Sequence, residues 1–141
     1  MLVRLLYASR AADPQSPEAT EAILAKSRSH NPACGITGIL CYGGGIFLQA
    51  LEGGRTAVND LYKHILNDPR HKDVILLSYE EIGERKFGGW TMGLVNTAKL
   101  NTSILLKYSE RPELDPYAVS GAVSMALLQE LMATASIVGR S

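Results

Sequence analysis

The sequence has little cysteine. Cys34 and Cys41 stand seven residues apart, with no second pair and no matching histidine spacing. That excludes a disulfide framework and argues against a metal site; free thiols of a reducing compartment are the expectation. Net charge is also missing, since 14 Lys and Arg offset 14 Asp and Glu. A neutral chain lacks the basic surface that draws nucleic acid or anionic membrane. No internal repeat or low-complexity segment is evident. The opening "MLVRLLYASR" carries Arg4 inside its apolar run and is too short for a signal peptide. A cytoplasmic protein is expected. No basic loop that could cradle phosphate is visible, which counts against a small hydrolase of acyl phosphates. What is present is ordinary: 141 residues, 46% hydrophobic and 20% charged. That suffices for one domain with a real core.

Alternation and turn residues mark the elements. "LVRLLYAS" reads as a strand with Val3, Leu5 and Tyr7 on one face. Ser16 can cap a helix that runs to about His30, where Pro32 ends it. "GITGILCY" and "IFLQALEG" flank Gly43, Gly44 and Gly45, the pattern of a hairpin. Val58, Leu61, Tyr62 and Ile65 fit a helical period between Thr56 and Asn67. "VILLSYEEI" reads as a fourth strand. "FGGWTMGLV" reads as a fifth, glycine-rich and so at an edge or beside a ligand.

The order strand, helix, two strands, helix, two strands predicts an α+β fold. It is a ferredoxin-like five-stranded sheet with two helices on one face. The tail must cover the other face. "AKLNTSILLKYS" is partly helical, and Asp115 can cap a long helix of about Pro116 to Val138, apolar nearly all round. Gln129 and Glu130 sit inside that segment, and Ser120, Ser124, Thr134 and Ser136 dilute it, so a membrane span is disfavoured. Residues 1–96 form the expected domain and 97–141 its helical extension.

Gln49 is the anomaly. It shares a strand face with Phe47 and Leu51, and a buried amide needs partners or costs about 1–3 kcal/mol. Tyr7, on the neighbouring central strand, carries a hydroxyl with the same need. The two are expected to bond to each other. A pair serving stability alone remains open at this stage. His30 and Asn31 end the first helix; His64 and Asp68 lie one turn apart on the second; Arg70 and His71 follow. These groups could gather around a polar or phosphorylated ligand tail.

"LLYAS", "HNPACGITGILCY", "FLQALEG", "NDPRH" and "RKFGGWTM" together resemble the BLUF domain, the blue-light sensors using flavin. The resemblance runs from about Leu2 to Asn96, and the tail resembles the helical extension of short, stand-alone members. It implies an oxidised flavin held noncovalently between the two helices: FAD, or FMN or riboflavin. The ring would lie between Ile23 and Ile65, with Leu40 and Phe47 nearby. Asn31 would bond a ring carbonyl. His64, Asp68 and Arg70 would sit near the ring edge or the ribityl-phosphate tail. Ser27, Arg28 and His30 are further cofactor-binding candidates.

The resemblance also implies the chemistry. Tyr7 would give an electron and then a proton to the excited flavin. Gln49 has a donor end and an acceptor end, so its rearrangement would shift the absorption slightly to the red. Trp90 and Met92 would carry the signal outward, with either one facing the flavin. The implied protein is a photoreceptor and not an enzyme. It would act on a separate effector protein, and its cap helix, with Ala118, Ala122, Ala126, Leu127, Leu128, Leu131 and Met132, could support a homo-oligomer. No metal, nucleic acid or membrane is expected. The alternative is a light-independent regulator that binds flavin or another small ligand on the same scaffold.

Overall fold

Val3, Leu5 and Tyr7 alternate with Arg4, Leu6 and Ala8 along β1 (Leu2–Ala11). Both sets are buried in the computed structural model, which describes residues 1–14 and 17–134. A strand buried on both faces must be central. β1 is flanked by β3 (Ile46–Gly54) and β4 (His71–Ile82), both antiparallel. β2 (Thr37–Gly43) pairs antiparallel with β3, and the sheet order is β4-β1-β3-β2-β5. This is the ferredoxin-like arrangement with one added strand. The hairpin turns on Gly44 and Gly45, at φ 58° and 76°. Two consecutive positive angles are what a two-residue hairpin with the native strand twist requires.

One sheet face packs on α1 (Glu18–Cys34) and α2 (Arg55–Asn67). Val3, Leu5, Tyr7, Leu40, Phe47 and Leu51 meet Ile23, Leu24, Leu61, Tyr62 and Ile65 there. The opposite face packs on the tail. Leu6, Ile39, Cys41, Leu48 and Ala50 form one cluster with Leu105 of α3 (Thr102–Tyr108) and with Leu127, Leu128 and Leu131 of α4 (Gly121–Ala133). Each fully buried leucine contributes about 1.5–3 kcal/mol of burial. Among the described residues, no helix is long and apolar enough to cross a membrane.

Four sequence expectations are corrected. Pro32 lies inside α1 and does not end it. The helix stops at Gly35, whose φ of 69° lets the Gly35 and Ile36 N–H groups cap the carbonyls of Pro32 and Asn31. The fifth strand is only β5 (Gly93–Asn96), a parallel edge neighbour of β2. Phe87 to Met92 is a loop instead, because the Trp90 N–H folds back to the Phe87 carbonyl over Gly88 and Gly89. Asp115 caps no helix; Ser120 does, accepting from the Val123 N–H, and the intervening residues form a turn. Leu127, Leu128 and Leu131 are spent on the sheet and are not available to a partner. The Ser16 cap and the stretch of the tail helix from residue 135 to Val138 lie outside the described residues.

Candidate functional site

The β1–β3 register places Tyr7 directly opposite Gln49, on the face under the helices. The Tyr7 hydroxyl donates to Gln49 Oε1, and both residues are buried. Burial pushes the Tyr7 phenol well above its ordinary range, and the neighbouring Tyr62 and Asp68 add to the effect. Tyr7 is therefore a protonated donor at any physiological pH. The other end of the Gln49 amide donates to Met92 Sδ at 3.3 Å. Gln49 thus uses both ends of its amide, one on each neighbour.

Trp90 and Met92 part company. Met92 is fully buried in the cluster under the helices, while Trp90 joins the cluster under the tail. The loop that replaces the expected strand makes this possible, because it frees the two residues from shared strand alternation. The Trp90 carbonyl accepts from the Gly38 N–H at 3.3 Å, which ties the loop to β2.

A hollow of about 70 Å³ opens between α1 and α2 above this pair. Ile23, Ser27, Gln49, His64, Ile65, Asp68 and Arg70 line it. A second hollow of about 490 Å³, lined by His30, Cys34, Ile36 and Asp60 among others, shares Lys26, Leu61 and His64 with it. The two adjoin at those three residues. Leu40 and Phe47 floor the region from the sheet. Arg28 is exposed and lines neither hollow; His30 is exposed and contacts Cys34 Sγ at 3.3 Å. Asp68 holds Arg70 with both carboxylate oxygens, at 3.0 and 3.3 Å. Burial alone would raise the Asp68 carboxyl, but the hydrogen bonds from Arg70 hold it below the usual value.

Asn31 is the telling residue. It is fully buried, and neither its Oδ1 nor its Nδ2 has a hydrogen-bond partner among the described residues. Such an amide costs about 1–3 kcal/mol unless something satisfies it. Asn31 lines neither hollow itself, but a ring carrying a carbonyl beside an N–H would supply both missing partners if it reached the amide. Apolar Ile23 and Ile65 suit the faces of a flat aromatic ring, and cationic Arg70 suits a phosphate. The residues fit a flavin by chemistry.

His71 is a site residue that the sequence reading noted but did not place. It is buried at the start of β4, 2.9 Å from Ser9 Oγ and edge-on to the Phe47 ring, and it lines the inner hollow. Starting the fourth strand at His71 rather than Val74 would have turned it inward. Tyr62, a core position by its helical period, also brings its ring to 5.8 Å from that of Tyr7.

Residues 2–93 match the family model described as BLUF, sensors of blue-light using FAD. A structure of BlsA in its photo-activated state superposes with a TM-score of 0.82 at 30% identity, covering 100% of this chain and 99% of that one. BlrB, a BLUF protein in its dark state, superposes at 0.78 and 34% identity over 95% and 96% of the two chains. Photoactivated adenylate cyclase subunit beta from Euglena longa is 39% identical over 92 residues, which is 64% of this chain. The match covers only 11% of that much longer protein.

Proposed function

The chain belongs to the BLUF family, sensors of blue light using FAD, and from that premise we propose that Tyr7 and Gln49 are its photochemical relay. The observation that carries this reading is the chain of contacts Tyr7 hydroxyl to Gln49 amide to Met92 sulfur. When bound, FAD absorbs blue light and supplies a strongly oxidising excited ring. Tyr7 is the electron donor. Loss of an electron to the ring would make the phenolic proton acidic, and it would pass along the existing hydrogen bond to Gln49 Oε1 while a proton leaves Gln49 Nε2 towards the ring. The electron and a proton would then return to Tyr7, so that the phenol and the oxidised ring are restored and only the donor and acceptor ends of Gln49 have changed places. That exchange changes what Gln49 offers to both the flavin edge and Met92, and it makes no bond to the protein, so the state relaxes in the dark.

The remaining residues hold and orient. Asn31 grips the polar edge of the ring, Ile23 and Ile65 clamp its faces, and Asp68 aims Arg70 at the phosphate tail. Ser27, buried on α1, and His64, whose Nδ1 is engaged by the Asp60 carbonyl, complete the lining. The protein acts as a switch and not as an enzyme, passing its state to a separate effector in the cytoplasm. The likeness to BlsA in its photo-activated state and to BlrB, a BLUF protein in its dark state, supports a sensor role. A homo-oligomer would have to use cap surfaces other than the buried leucines.

The test is an absorption spectrum of FAD-loaded protein before and after blue light. A small red shift that reverses in the dark is expected. A yellow protein whose spectrum ignores light would instead make this a light-independent flavin-binding regulator.

A further inference from the structure

Two residues of β3 grip the same loop from opposite faces of the sheet. Gln49 holds Met92, at the loop's far end, from the helix side. Glu52 holds its near end from the tail side: its Oε1 accepts from the Phe87 N–H at 2.6 Å and its Oε2 from the Lys86 N–H at 3.0 Å. Glu52 is fully buried. Arg4, its register partner on β1, donates to the same carboxylate at 2.8 Å and reaches Glu80 of β4 at 2.7 Å. Arg85 adds bonds to the Glu52 carbonyl and to Thr37. Between the two grips lie the Gly88-Gly89 turn and Trp90.

A buried carboxylate is costly unless it is fully satisfied. Here it is satisfied by one guanidinium and two backbone N–H groups, and a neutral side chain would avoid the cost. The two backbone bonds are what a hydrophobic replacement could not supply. We infer that Glu52 is a positioning residue for signal output, fixing the near end of the 86–92 loop so that a change at Gln49 moves only the end bearing Trp90 and Met92. The inference rests on the relay proposed above. Without a fixed end, loosening of the Gln49–Met92 contact would dissipate along the whole loop. With it, the displacement is confined to the Trp90 side chain and its contacts under the tail.

The test uses the full chain loaded with FAD, comparing wild type with Glu52→Gln, which keeps the shape but loses the charge. Three quantities are read: the light-induced red shift, the dark-recovery rate, and hydrogen exchange of residues 86–92 in light and dark. The red shift should keep its size, because Tyr7 and Gln49 are untouched. The amides of Lys86 and Phe87 should exchange about tenfold faster in the dark, as expected on weakening charge-assisted bonds. The light-minus-dark difference across the loop should shrink, and dark recovery should change several-fold. Glu52→Asp, which keeps the charge but shortens the reach, should show the same pattern and serves if Glu52→Gln does not fold. If Glu52 is only a structural ion pair, the doubly neutral Arg4→Gln/Glu52→Gln protein will recover wild-type melting, and loop exchange will respond to light normally in every variant. That result overturns the inference. Loss of the red shift in the wild type would instead overturn the relay itself.

Discussion

Gln49 is bonded at both ends of its amide, to the Tyr7 hydroxyl on one side and to Met92 Sδ on the other. One side chain therefore joins Tyr7 to the loop that leads out of the core. A reversal of that amide cannot satisfy Tyr7 and Met92 in the same way as before. In the relay proposed above, input and output would meet at this single rotatable group.

Asn31→Leu should separate binding from folding. The wild-type amide is buried without a partner among the described residues. Removing it relieves that cost, so the flavin-free protein should melt at the same temperature or slightly higher. Affinity for FAD should fall by roughly ten- to a hundredfold, the weight of about 1–3 kcal/mol of hydrogen bonding. Thermal melts without FAD and a fluorescence titration with it provide the check. Unchanged affinity would remove Asn31 from the site.

Acidification should destabilise the fold in two stages. Burial holds His71 below its ordinary 6.5, and the Arg70 charge works in the same direction against Asp68. The unfolded chain therefore takes up this proton more readily than the fold does. Stability is complete above 6.5 and is lost as pH falls below it towards the folded value. Asp68, held below its ordinary 3.8, adds a second loss further down. Melting temperatures of His71→Gln should lose the upper stage and keep the lower. An unaltered upper stage would point to another group.

Much of this was legible in the chain because alternation is a strong signal when both strand faces are buried. The Tyr7–Gln49 pairing followed from two central strands and two polar groups that each needed a partner. The separation of Trp90 from Met92 was not legible. "FGGWTMGLV" alternates well enough to read as a strand; besides the Trp90–Phe87 turn over Gly88 and Gly89, what holds it as a loop is the pair of Glu52 bonds to Lys86 and Phe87. Those bonds join residues far apart in sequence, where local pattern is silent. Pro32 shows a different limit: in the last turn of α1 it removes a single ladder bond without ending the helix, and the left-handed Gly35 sets the stop.

Truncation after Asn96 should leave the relay intact in principle but strip the sheet's second face. Leu6, Ile39, Leu48 and Ala50 lose the cover of Leu105, Leu127, Leu128 and Leu131. An apolar face of that extent drives association. Size-exclusion chromatography should show aggregates. A monodisperse, photoactive fragment would show that the tail is not needed as a cover.

Trp90→Ala should leave FAD bound and the red shift present. Trp90 sits in the cluster under the tail, outside the Tyr7–Gln49–Met92 chain. Dark recovery or the response of the effector should change, because the loop loses its large anchor there. Flash spectroscopy reads the first quantity. Abolition of the light-induced shift would place Trp90 within the relay.

Tyr7→Phe and Gln49→Leu test the pair itself. Phenylalanine keeps the ring that fills the core and removes one hydroxyl; leucine keeps most of the volume and removes the amide. If the pair served stability alone, each change would cost about 1–3 kcal/mol for the stranded partner and nothing else. As a relay, each variant should fold, bind FAD and stay yellow, yet show no reversible red shift. Tyr7→Phe removes the reductant, since a phenyl ring is far harder to oxidise than a phenol. Gln49→Leu removes the group whose reversal is the signal, and it also releases Met92, so the 86–92 loop should become insensitive to light. Absorption spectra under blue light and hydrogen exchange of that loop decide the matter together. A normal red shift in Gln49→Leu sinks the mechanism, while loss of FAD in both variants returns the pair to a purely structural role.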